Sequence, residues 1–203
     1  MEKYDTLNYY NENAQTYCEQ TRNGNMQELY DKFLSLVKKN GYILDFGCGS
    51  GRDSKYFIEH GYKVMAIDGS IEMCKLAEDY IHQEVKCMKF DELDEKELFD
   101  GIWACSSILH VERKDLINVL RKMVNALKSV GVIYTCFKNG DSEKVEDGKY
   151  YNYINKEIFE RMLNEASQEV TIVDYFESIT KPNINRPQAN WGNYLILKKK
   201  NLI

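Results

Sequence analysis

Residues 43–53, ILDFGCGSGRD, join an apolar run ending in an acid to three glycines at alternate positions, Gly47, Gly49 and Gly51. Glycines so placed after a strand let the backbone turn tightly and approach a ligand more closely than a Cβ would allow, as a loop cradling a nucleoside cofactor must. Seventeen residues beyond Gly51, Asp68 closes a second apolar run, VMAID. A carboxylate there can accept hydrogen bonds from both hydroxyls of a ribose, although an aspartate before Gly69 and Ser70 also suits the start of a helix. The fine spacing separates the cofactors. A dinucleotide fingerprint G-x-G-x-x-G beginning at Gly47 needs glycine at position 52, where this chain has Arg52, so an NAD-dependent oxidoreductase is disfavoured.

The elements that must position these groups alternate as strand and helix from residue 25 to about 166, the pattern of a parallel sheet covered on both faces. Strands are expected at 42–46, 62–67, 84–88, 99–105 and 130–137, and a helix at 70–81. The clearest helix spans 113–128, where Leu116, Leu120, Met123 and Leu127 line one stripe, widened by Ile117 and Val124. After residue 166 two strand-like runs, 169–180 and 191–200, follow without a helix between them and read as an antiparallel hairpin with a long loop. The fold expected is a single α/β domain over 1–203, doubly wound, with a mostly parallel seven-stranded sheet and an antiparallel C-terminal hairpin. Residues 1–40 form a helical cap and 41–203 the core.

D-x-G-x-G-x-G from Asp45 to Gly51 resembles the first motif of the class I S-adenosylmethionine-dependent methyltransferases, and the hairpin ending is similar to their sheet, whose last strand inserts antiparallel. GCGSGRDS followed by H-G-Y-x-V-x-A-x-D resembles, within the cofactor half alone, the opening of the tellurite-resistance methyltransferases. The resemblance implies S-adenosylmethionine as cofactor, S-adenosylhomocysteine as product and no metal. It also implies a cofactor site drawn from Tyr10, Tyr17, Asp45, Gly47, Cys48, Gly49, Gly51, Arg52, Asp68, Gly69, Met73, Phe90, Asp91, Cys105, Ser106 and His110. Asp68 would hold the ribose, and Asp45 the ammonium of the methionine moiety. Arg52 would clamp that moiety's carboxylate, unless it pairs with Asp53 or Glu59. Asp91 would receive the adenine amino group while Phe90 stacks on the ring, with Met73 and Met88 as neighbours. Tyr10 and Tyr17, seven apart, resemble a Y-x-x-x-A-x-x-Y cap, with amphipathic packing as the plain alternative. His110 is the histidine placed to act as general base if its pKa stays near 6.5, or else to pack against the cofactor.

The acceptor side is where such enzymes differ. The stretch 137–157, read as a long loop, carries Lys138, Tyr150, Tyr151 and Tyr153, and the late loop carries Arg186 and Trp191. Together they suit a small, anionic acceptor, or simply pin the loops. A noncatalytic cofactor-binding sensor or partner subunit would show the same cofactor motif. An RNA or protein methyltransferase ranks lower, because the net charge is −5 and ACSS stands where base-directed enzymes carry N-P-P-Y or D-P-P-Y. The run Lys198, Lys199, Lys200 reads as a solvated tail. Six cysteines include no C-x-x-C pair; Cys48, Cys87, Cys105 and Cys136 fall in or beside buried strands, so they read as reduced core thiols in a cytoplasmic protein. No apolar run approaches the ~18 residues of a membrane span, and the N-terminus lacks a secretion signal.

Overall fold

Tyr42–Phe46, YILDF, forms β1, whose side chains from Ile43 onward are buried on both faces, as a central parallel strand requires. Around it the computed structural model, which describes residues 4–180 and 188–200, places β2 (Lys63–Asp68), β3 (Val85–Cys87), β4 (Phe99–Ala104), β5 (Leu127–Lys138), β8 (Val170–Thr180) and β9 (Ala189–Lys198). They make one sheet of order β3-β2-β1-β4-β5-β9-β8, parallel except that β9 runs antiparallel to both its neighbours. The strand order reverses between β1 and β4. A crevice opens there at the carboxyl ends of the strands, which is where an open α/β sheet takes its ligands.

Helices α1 (Thr6–Thr21), α2 (Gln27–Leu34), α3 (Arg52–Glu59), α4 (Ile71–Ile81), α5 (Arg113–Ala126) and α6 (Lys156–Ala166) complete the fold. One face of the sheet buries Leu44, Phe46 and Ile133 against Leu116, Leu120 and Met123 of α5 and Phe159 and Leu163 of α6. The opposite face sets Ile43, Trp103 and Tyr134 against Phe33 of α2 and Phe57 of α3. Of the first forty residues, α2 therefore belongs to the sheet's covering, whereas α1 packs Ala14 and Cys18 on Met73 of α4 as a separate small cluster.

Four expectations require correction. Residues 137–157 are not a loop: β6 (Asp141–Glu146) and β7 (Lys149–Ile154) form an antiparallel hairpin turning at Asp147 and Gly148, both at positive φ. The helix read as 113–128 stops at Ala126, and β5 starts at Leu127, earlier than residue 130. Cys87 is exposed, because β3 is the sheet edge. Lys198 is no part of a solvated tail. It is buried beneath β9, where its ammonium donates to the carbonyls of Val124 and Leu127 at 3.0 and 2.9 Å and closes the C-terminal end of α5.

Candidate functional site

The turn after β1 is built by its glycines. Gly47, Gly49 and Gly51 have φ of +89°, +52° and +76°, and a Cβ on Gly47 would stand 2.5 Å from the Ser107 Cβ and 3.1 Å from the Phe90 ring. The amides of Gly47 and Cys48 donate to the carbonyl of Ile67, tying the loop to the end of β2. Asp68 follows at once. Its carboxylate accepts from the Gly49 N–H and the Ser70 N–H, each at 2.9 Å, while the Ser70 hydroxyl caps α4 by accepting from the Met73 N–H. Burial raises the Asp68 pKa, and those backbone donors oppose the rise. The helix-cap and ribose readings of Asp68 are thus compatible: the loop and the α4 N-terminus hold the carboxylate at the wall of a cavity.

That cavity, of about 670 Å³, runs along the carboxyl ends of β1, β2 and β4. Fourteen of the sixteen expected site residues line it, namely Tyr10, Tyr17, Gly47, Cys48, Gly49, Arg52, Asp68, Gly69, Met73, Phe90, Asp91, Cys105, Ser106 and His110. Asp45 and Gly51 do not. The Asp45 side chain lies behind the loop, 1% exposed, and accepts from the Ser54 hydroxyl at 2.6 Å; burial and the neighbouring Asp53 push its pKa up. Gly51 faces Ala77 and Ile81 of α4, where a Cβ would come within 3.0 Å of Ile81.

Of the two carboxylates flanking the glycines, Asp53 is the one that lines the cavity. It accepts from Arg52 Nε at 2.6 Å, from the Tyr30 hydroxyl at 2.5 Å and from the Trp103 indole at 2.8 Å. Burial alone would raise its pKa, but Arg52 and these donors hold it below the usual carboxylate range. Arg52 and Asp53 both line the cavity, so one end of it presents a guanidinium beside an ionised carboxylate.

The roof is α1. Asp5 caps it by accepting from the Asn8 N–H, and it lays Tyr10 and Tyr17 edge to face with ring centroids 5.3 Å apart. The Tyr10 hydroxyl meets His110 Nε2 at 2.9 Å, while His110 Nδ1 lies 2.7 Å from the carbonyl of Tyr150. A carbonyl accepts only, so Nδ1 carries the proton and Nε2 accepts from Tyr10. Burial pushes the His110 pKa down to about 4, against the Tyr150 hydrogen bond and with help from Lys149 and Lys138. His110 is accordingly neutral, with both nitrogens engaged, and does not meet the condition set for a general base. Tyr151 closes the cluster, its ring 4.8 Å from that of His110 and under the Lys138 ammonium, which Glu146 and the Tyr153 hydroxyl also hold. Arg186 lies outside the described residues.

Sequence reasoning missed Thr21, Ser50, Ser107, Asp115, Asn118 and Val119 on the cavity wall. The last three sit at i, i+3 and i+4 on α5, a spacing that placed them on one helix face beside the apolar stripe. Ser107 is the most telling, because its buried hydroxyl has no hydrogen-bond partner among the described residues and it lines the cavity. An unpaired buried donor facing an open space fits a polar ligand there. Among the described residues there is no cluster of His, Cys, Asp and Glu able to hold a metal ion, and no helix is long and apolar enough to cross a membrane.

Residues 43–131 match the family described as Methyltransferase domain. Over 75% of its length the chain is 31% identical to an uncharacterized protein of Methanocaldococcus jannaschii, but spans only 43% of that relative. It is 24% identical over 84% of its length to an uncharacterized methyltransferase of Staphylococcus carnosus, covering 87% of it. Among solved structures, it resembles the 1,6-didemethyltoxoflavin-N1-methyltransferase of Burkholderia thailandensis with bound 1,6-didemethyltoxoflavin and S-adenosylhomocysteine. The TM-score is 0.74 at 19% identity, over 96% of this chain and 85% of that one.

Proposed function

Since the chain belongs to the class I S-adenosylmethionine-dependent methyltransferases, we propose that it transfers the methyl group of S-adenosylmethionine to a small-molecule acceptor by in-line displacement. The observation that carries this reading is one cavity lined together by the glycine loop, Asp68, the Arg52–Asp53 pair, Tyr10 and His110. The Burkholderia thailandensis enzyme, which holds S-adenosylhomocysteine and a small molecule together, supports it by analogy of fold.

When bound, the cofactor supplies a methyl group on a sulfonium, which a nucleophile can displace. The protein's task is to bind, align and exclude water. Asp68, its carboxylate already oriented by two backbone donors, would take the ribose hydroxyls. Asp53 and Arg52 offer opposite charges to the ammonium and carboxylate of the amino-acid end, and the unpaired Ser107 hydroxyl, Phe90 and Asp91 face the base. Tyr10 donates to His110, so its remaining lone pairs are free to orient an acceptor. Because His110 is neutral and engaged at both nitrogens, we read the acceptor as a group that arrives already nucleophilic, its proton leaving to solvent.

Calorimetric titration of the purified protein with S-adenosylmethionine, S-adenosylhomocysteine and NAD tests this. Both adenosyl ligands should bind at micromolar concentrations, and Asp68→Ala should weaken them by about a hundredfold or more, the worth of one to two hydrogen bonds to a charged group. Binding of NAD instead, or of no ligand, would overturn the reading.

A further inference from the structure

Ala104, the last residue of β4, pairs with Thr135 of β5, and the next residue along the chain after each is a cysteine. Cys105 and Cys136 stand side by side on the face that carries Trp103 and Tyr134, whose rings stack 4.2 Å apart two residues earlier. Neighbouring strands lie about 4.8 Å apart, inside the Cα separation that a disulfide spans. Cys136 is buried and Cys105, half-buried, packs against the same cluster. Ser106 adds its N–H to the Cys136 sulfur at 3.3 Å and its hydroxyl at 3.6 Å, from a backbone with φ of +52°. The N–H and the hydroxyl of Ser106 thus both meet one buried sulfur, and the N–H can stabilise a thiolate there. The neighbouring Cys105 thiol, followed by Ser106, holds Cys136 down to about 7 against burial. Cys105 lines the cavity and Cys136 lies behind it, so a small oxidant entering the cavity reaches the pair.

We propose that Cys105 and Cys136 are a modification site, forming a reversible disulfide that weakens the cavity's hold on its adenosyl ligand. The consequence for binding rests on the function proposed above; the bond itself does not. With a hydroperoxide as oxidant, the thiolate attacks one peroxide oxygen, the O–O bond breaks and hydroxide leaves, giving a sulfenic acid. The neighbouring thiol then displaces that oxygen as water and forms the S–S bond, so two thiols and one hydrogen peroxide yield a disulfide and two waters. Bridging draws the Cys105 sulfur off the cavity wall and takes from Ser106 the acceptor that fixes its strained turn, next to Ser107.

Cys74 and Cys87 are the internal rival. Cys74 donates to the Asp68 carbonyl at 3.3 Å and Cys87, the exposed member, to the Gly69 carbonyl at 3.9 Å. Their sulfurs lie outside the cavity.

The test treats the reduced protein with hydrogen peroxide and reads intact mass, the linked peptides and S-adenosylhomocysteine affinity before and after. Expected are a loss of about two mass units reversed by dithiothreitol, a peptide joining Cys105 to Cys136, and affinity weakened by about tenfold or more. Prior saturation with S-adenosylhomocysteine should slow the change. Cys136→Ser, or Cys105→Ser if the first fails to fold, should show neither the link nor the response of affinity to peroxide. An unchanged mass, a link between Cys74 and Cys87 instead, or a Cys105–Cys136 link with affinity intact would each overturn the proposal. Failure of the reduced protein to bind the ligand would instead overturn the functional reading, with the mass and peptide readout still deciding whether the disulfide forms.

Discussion

His110 shows how a residue's chemistry is set by what folds against it. The carbonyl that fixes its tautomer belongs to Tyr150, forty residues on, and the hydroxyl that occupies its other nitrogen belongs to Tyr10, a hundred residues back. Its folded pKa of about 4 lies below the ordinary value of 6.5. Between those values the unfolded chain binds the proton and the folded one does not, so the group's contribution to stability is full above pH 6.5 and is lost as pH falls towards 4. Unfolding free energies from urea titration at pH 7 and pH 5 should differ by more in the wild type than in His110→Asn, by an amount of order 1–3 kcal/mol. The same geometry predicts that the rate of methyl transfer shows no limb near pH 6.5 belonging to His110; a limb there that disappears in His110→Asn would restore it as the base. The sequence displayed the histidine and the tyrosine, but their junction depends on how α1 and β7 dock, and no local pattern encodes that. Asp45 and Asp53 make the same point more finely, since both were visible beside the glycines and only the strand's twist into α3 decides which carboxylate faces the cavity.

At the scale of elements, Lys198 links three of them. Buried in β9, it donates to carbonyls at the end of α5 and at the first residue of β5, where the chain passes from helix to strand without a loop. Lys198→Met keeps most of the buried stem and removes the donor, so it should cost about 2–4 kcal/mol in denaturant unfolding, from two charge-assisted bonds. Its affinity for S-adenosylhomocysteine should match the wild type; a variant as stable as the parent would show that water serves those carbonyls equally well. Three consecutive lysines looked solvated because position in the sheet, not composition, turned the first of them inward. The β6–β7 hairpin was more legible than its reading as a loop allowed. Asp147-Gly148 is a two-residue turn signal, and KYYNYI alternates about it. What obscured it was charge, since Asp141, Glu143, Lys144 and Glu146 form an exposed strand that buries little apolar surface. Arg113 supplies what the hairpin lacks, reaching from the first residue of α5 to Asn152, Asp141 and the Tyr153 carbonyl.

Across the whole molecule, α1 is the seam between the cofactor half and the hairpin half. Asn11 accepts from Ser70 at the α4 N-terminus, Thr6 accepts from the Tyr150 N–H, Tyr4 bonds to Glu112, and Tyr10 reaches His110. Yet neither large core cluster contains an α1 side chain; the helix packs Ala14 and Cys18, flanked by Tyr10 and Tyr17, against Met73 in a small cluster of their own. The alternation of strands and helices and the antiparallel ending were legible because hydrophobic runs, glycines and the missing last helix are local signals that the sheet merely assembles. Enclosure of the cavity was less so, because it arises from one amphipathic helix lying across the strand ends through polar contacts that leave no periodic trace. That division predicts separable effects. A chain lacking residues 1–21 should keep its α/β circular dichroism and unfold cooperatively at a somewhat lower urea midpoint, while losing Tyr10, Tyr17 and Thr21 from the cavity wall. Its affinity for S-adenosylhomocysteine should fall by about a hundredfold or more, equivalent to ~3 kcal/mol. Loss of cooperative unfolding would make α1 part of the core, and affinity within threefold of the full chain's would make it a bystander to binding.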